Sequence, residues 1–216
     1  MNLSWVGPTA TAALAVIALT ACGARDQPSG EPQGDPATER ITAQGVAALV
    51  DEHLGAQNVK QYGTYGEEEE SSVDVMVQMR GDDRRNMFVV GVTSPAGAEQ
   101  EFALARKVTC EQLERRGGRR GGRVWCEELE SGGVATVQLA PYGFSDNNRH
   151  GRVLSGFAAG IDGRLATAMY ESYTATVHVD PDDLLALVAD ERLAWSTDPA
   201  VNDAGQDIEV RRLTGS

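Results

Sequence analysis

The chain has 216 residues, 41% of them hydrophobic, and a formal net charge of -13 at pH 7. That apolar share excludes disorder throughout and is enough for one buried core. The acidic excess repels polyanions from most of the surface, so nucleic acid is not an expected partner.

Residues 9–21 read TATAALAVIALTA, an apolar run of signal-peptide length that falls short of the roughly 20 residues a membrane-spanning helix needs. It ends in Leu19-Thr20-Ala21-Cys22, which resembles the lipobox of bacterial lipoproteins, where a small residue precedes a cysteine that receives lipid before the leader is removed. The resemblance implies a signal peptide over residues 1–21 and Cys22 as the acylated first residue, carrying palmitate or similar chains. It also implies residence on the extracytoplasmic face of the cell membrane, with the membrane itself as a partner through that lipid. Met1 to Trp5 lack the Lys or Arg expected before such a core, so an unusual leader and a start upstream of Met1 both stay open. The basic side chains are nearly all Arg, with Lys60 and Lys107 as the lysines, and Ala and Gly are abundant. That bias resembles proteins of GC-rich bacterial genomes such as those of actinobacteria.

Gly23 to Gly34, reading GARDQPSGEPQG, has no apolar periodicity and reads as a flexible tether over residues 22–34. Asp35-Pro36, Ser94-Pro95 and Asp180-Pro181 each pair a capping oxygen with Pro at the first helical position, and all three predict helix starts. The first helix is expected to reach Leu54, with Ile41, Val46, Leu49, Val50 and Leu54 on one face and Gly55 as its stop. Gly45 inside it costs about 1 kcal/mol against Ala, so this helix needs packing to persist. Glu67 to Glu70 reads as a solvated loop.

Val73, Val75, Val77 and Met79 alternate with polar neighbours as a half-buried strand does, and Met87 to Val92 returns after a turn containing Arg80-Gly81-Asp82. A second helix is expected from Pro95 to about Arg116, ended by the glycine pairs of the Arg115 to Arg123 run. Strands follow at Val124 to Cys126, Val134 to Leu139, Val153 to Ile161 and Leu165 to Tyr173, the last two flanking Asp162-Gly163, with a further one at Thr176 to Val179. A last helix starts at Pro181 and packs Leu184, Leu185, Leu187, Val188 and Trp195, and residues 197–216 read as a loose tail. The order implies an α+β fold: a single domain over residues 35–196, an antiparallel sheet covered by about three helices.

Apart from Cys22, the cysteines are Cys110 and Cys126, an even number in a chain expected outside the cytoplasm, so they predict one disulfide. The alternatives, a metal site or a redox pair, lack CxxC spacing and nearby His. Arg115, Arg116, Arg119, Arg120 and Arg123 form a candidate anion-binding loop in an otherwise acidic protein, suited to an anionic envelope polymer or an acidic protein face; a solvated loop is the plainer alternative. No nucleophile elbow, zinc motif or phosphate loop is present, and His53, His150 and His178 stand apart in sequence. The expectation is therefore a lipid-anchored envelope protein that binds rather than catalyses, without cofactor or metal. The alternatives are an envelope hydrolase whose site is not visible in sequence, or a small-ligand carrier.

Overall fold

The computed structural model describes residues 38–65, 71–82, 85–96, 108–119, 122–141, 151–161, 163–174 and 176–213. They belong to a compact unit spanning Asp35–Ser216. Its strands are β1 (Glu39–Arg40), β2 (Val59–Tyr65), β3 (Ser72–Met79), β4 (Met87–Thr93), β5 (Arg123–Glu128), β6 (Gly133–Pro141), β7 (Arg152–Gly160), β8 (Leu165–Ser172), β9 (Ser196–Thr197) and β10 (Val210–Leu213). The described helices, apart from a single 3-10 turn at Ala56–Asn58, are α1 (Ala43–Leu54), α2 (Cys110–Arg119), α3 (Pro181–Ala189) and α4 (Pro199–Gly205).

Eight strands form one sheet in the order β10-β2-β3-β4-β8-β7-β6-β5. Two meanders, β2 to β4 and β5 to β8, meet where β4 lies antiparallel to β8 from Met87↔Glu171 to Thr93↔Leu165. The expected antiparallel sheet is corrected at one edge: β10 runs parallel to β2, which makes the sheet mixed. The chain reaches that edge by crossing back over the sheet through α3 and α4, and a strand delivered by a crossover, unlike a hairpin partner, is free to run parallel. The helix count is likewise four among the described residues rather than about three.

Alternation assigns the two sheet faces. Val73, Val75 and Val77 share a face with Phe88, Val90 and Val92, with Ala166, Ala168 and Tyr170, and with Leu154, Ala158, Ala135 and Val137; all are buried. Against them pack Val46, Leu49 and Val50 of α1 and Leu184, Leu187 and Val188 of α3 in one continuous core. Each such Leu or Val stabilises the fold by roughly 2 kcal/mol through the apolar area it removes from water. Gly156 of β7 lies beneath α3, where a Cβ would meet Val188 Cγ1 at 3.1 Å. Phe88 and Tyr170 meet edge to face at 5.9 Å.

Several boundaries differ from expectation. Asp35-Pro36 lies outside the described residues; α1 begins at Ala43, because Thr42 Oγ1 accepts from the Gly45 amide and residues 39–40 are drawn into pairing with Ser196–Thr197. Its stop is as expected, with Gly55 at φ 81°. Pro95 and Ala96 are helical, residues 97–107 lie outside the described set, and Val108 and Thr109 are not helical, so the helix holding Cys110 is a separate one. Thr109 opens it by accepting the Gln112 and Leu113 amides, and α2 runs through Gly117 and Gly118 to Arg119 instead of ending before them. Residues 176–179 carry no sheet pairing. The segment read as a loose tail contains Thr197 of β9, and all of α4 and β10, with Asp198 capping α4 through the Ala200 amide.

Candidate functional site

Cys22, Arg120 and His150 lie outside the described residues. Cys110 and Cys126 are joined by a disulfide with their Cα atoms 5.4 Å apart. It pins the start of α2 to the middle of β5. Cys126 alternates with Trp125, whose side packs toward the core, so α2 is attached from the opposite side of the sheet edge.

Arg115, Arg116 and Arg119 therefore belong to a helix and not to a loop, while Arg123 opens β5. Arg115 pairs with Glu111 one turn earlier, and Arg123 stacks over the Trp125 ring at 4.7 Å. Strand direction places Arg123 at the same end of the sheet as Arg80, Arg85 and Arg152. Asp180, Asp182 and Asp183 stand near that end too, at the start of α3, where they suit its positive terminus. The opposite end, built by the β5–β6 and β7–β8 turns, carries Glu128 and Glu130, with Glu191 accepting from the Ser131 amide.

Two polar networks were not visible in the sequence, because each joins residues far apart in the chain. In the first, the Tyr170 hydroxyl donates to Asp82 Oδ1 at 2.7 Å, Asn86 Nδ2 donates to the same oxygen at 2.9 Å, and His178 Nε2 stands 3.7 Å from it. Burial pushes the Tyr170 hydroxyl above the usual phenol range, and the Asp82 carboxylate adds to the shift. The Arg80-Gly81-Asp82 tripeptide is thus turn chemistry: Gly81 takes φ 79° and the Asp82 side chain is committed to the interior. Tyr62 repeats the device, donating to Asp51 Oδ1 at 2.5 Å, and burial together with Asp51 raises its pKa as well.

The second network joins the end of α1 to the end of α3. His53 Nε2 lies 2.8 Å from Asp190 Oδ2, and Arg192 Nη2 bridges Asp190 Oδ2 at 2.6 Å and Glu52 Oε1 at 2.7 Å. Burial would raise the Asp190 carboxyl, but His53 and Arg192 outweigh it and hold the group well below the usual carboxylate range. Candidate ligand atoms of Glu52, His53 and Asp190 lie within 4.8 Å of one another. A cation there would have to displace the Arg192 guanidinium from both carboxylates, so the arrangement serves as an ion-pair clasp. Beneath it the buried Arg164 donates to the carbonyls of Val188, Ala189 and Asp190, satisfying orphan acceptors at the end of α3, and to that of Leu193 in the turn beyond. His53 and His178 each face a carboxylate that also binds structural partners.

The signal for one missed element was present: Asp198-Pro199 repeats the Asp180-Pro181 pattern and starts α4 in the same way. Among the described residues, no helix is long and apolar enough to cross a membrane. Comparison with protein-family models, with curated proteins and with solved structures finds no match to this chain.

Proposed function

We propose that the chain is a lipid-anchored protein of the bacterial cell envelope that acts by binding. The observation that carries this reading is Leu19-Thr20-Ala21-Cys22 at the end of a short apolar run. The compact unit beginning at Asp35, directly after the polar tether, is consistent with it. A tether of a dozen residues spans roughly 20 Å, which keeps the domain close above the bilayer. Within the domain, the Arg segment is the part suited to an anionic partner, either an envelope polymer or an acidic protein face. Support comes from its attachment: α2 is fixed at Cys110 by a covalent bond, so Arg115 stands on a held helix whose backbone also carries Arg116 and Arg119.

Membrane fractionation of cells expressing the wild type and Cys22→Ser tests the anchor. The wild type is expected in the membrane fraction and the variant in the released or unprocessed pool; equal membrane association of both contradicts it. For the binding part, replacing Arg115, Arg116, Arg119, Arg120 and Arg123 by Ala should abolish salt-sensitive retention on anionic envelope material. Unchanged retention removes the Arg segment from the account.

A further inference from the structure

Helices α1 and α4 touch most closely where Gly205 lies under the Gln44 carbonyl and Gly45 lies against Asn202; a Cβ on either glycine would clash. Beside this crossing they enclose a groove of about 430 Å³. Its floor is apolar, formed by Leu49, Val201 and Ile208, and small side chains, Ala48, Ala200 and Ala204, line its walls. Three carboxylates, Asp51, Glu52 and Asp198, stand around it. Their bonds to the Tyr62 hydroxyl, to Arg192 and to the Ala200 amide each engage one oxygen. The cation at the groove, Arg192, offsets Glu52 through the Nη2 that also binds Asp190, so among the described residues Asp51 and Asp198 are the rim carboxylates not paired with a cation.

We propose that this groove receives an amphipathic helix of a partner protein, apolar along its contact stripe and basic on its flank. The walls are helices whose lining positions recur one turn apart, and methyl side chains on both walls let a third backbone approach closely, as in helix-in-groove recognition. The Asp51 and Asp198 carboxylates select Lys or Arg beside the apolar stripe. An elongated occupant is favoured over a compact amine because a second depression of about 200 Å³ continues from the first, sharing Asp51 and Ile208. It also contains Lys60, and Arg211, which Glu209 pairs at 3.0 Å, so the basic flank belongs over the first groove. This surface uses none of the arginines assigned above and does not depend on the lipid, so it stands or falls separately from the proposed function.

The test is calorimetric titration of the purified full chain with three probes: a helix-forming Leu/Lys peptide, its Leu/Glu counterpart, and octylamine. The Leu/Lys peptide should bind, more weakly as salt is added, while the Leu/Glu peptide and octylamine bind at least tenfold more weakly. Ala204→Arg, at an exposed wall position, and Glu52→Lys, at the rim, should each weaken the Leu/Lys peptide about tenfold. Glu128→Ala, at an exposed position of the far edge strand β5, should leave it unchanged. Glu52→Lys carries the test if Ala204→Arg fails to fold. No binding of the Leu/Lys peptide, equal binding to wild type and the folded groove variants, equal binding of the Leu/Glu peptide, or preference for octylamine would each overturn the proposal.

Discussion

Helices α4 and α2 are both attached near sheet edges, yet they are held by opposite means. Helix α4 sits in backbone contact with α1, buries Val201, and is wired by Asn202, whose side chain accepts from the Thr42 amide and hydroxyl and donates to Glu39 and the Arg40 carbonyl. Helix α2 exposes Glu111, Gln112, Glu114 and Arg115 and leaves only Cys110 and Leu113 half-buried among its described side chains. What holds it is the bond to Cys126. A segment too polar to bury apolar surface needs a covalent link where its counterpart relies on packing.

The largest effect expected from breaking this contrast is at Gly205. Gly205→Ala drives a Cβ into the Gln44 carbonyl and should cost about 3 kcal/mol, read by denaturant unfolding. A cost below about 1 kcal/mol would mean that the α1–α4 contact yields readily.

Tyr170→Phe removes a buried hydroxyl and strands part of the Asp82 acceptor capacity, for about 1 kcal/mol near neutrality. The alkaline limb gives a sharper reading. Because the folded pKa of Tyr170 is raised, its contribution is full below the unfolded value of about 10 and is lost as pH rises beyond it, since the unfolded chain releases that proton first. Stability of the wild type should therefore fall more steeply above pH 10 than that of Tyr170→Phe; parallel curves would contradict the burial of this hydroxyl.

Reducing the disulfide should act locally. Closing a loop of about sixteen residues is worth roughly 3 kcal/mol when the loop melts with the whole domain. Here the loss should fall on α2, seen as faster amide exchange over residues 110–119, while the core strands keep their protection. Collapse of protection in β3, β4 and β8 would show that α2 is part of the core. The smallest effect is Arg115→Ala, under about 0.5 kcal/mol, because its pairing with Glu111 is exposed on the helix surface.

The sequence shows elements whose signal is local and hides those made by distant partners. β3 can be read from its alternation, β7 and β8 from the Asp162-Gly163 signal between them, and Asp180-Pro181 marks α3 because cap and proline are adjacent. β2 could not be read this way: its register shifts between Val59 and Gln61, and that irregularity breaks the period of two. β1, β9 and β10 are short and take their strand geometry from the segments they pair with. Propensity alone disfavours the glycine pair at 117–118 and predicts a stop there, yet α2 continues past it. At Gly45 propensity raised the right question, and the answer, a close contact with Asn202, lies 157 residues further along the chain, beyond what any local pattern carries. The same holds for the clasp of Glu52, His53, Asp190 and Arg192.

The functional reading rests on Cys22, and it is tested most directly by the intact mass of the protein recovered from the membranes of a bacterial host. The account predicts a chain that begins at Cys22 and carries the added mass of acyl chains. A chain beginning at another residue, or one beginning at Cys22 without lipid, would contradict it.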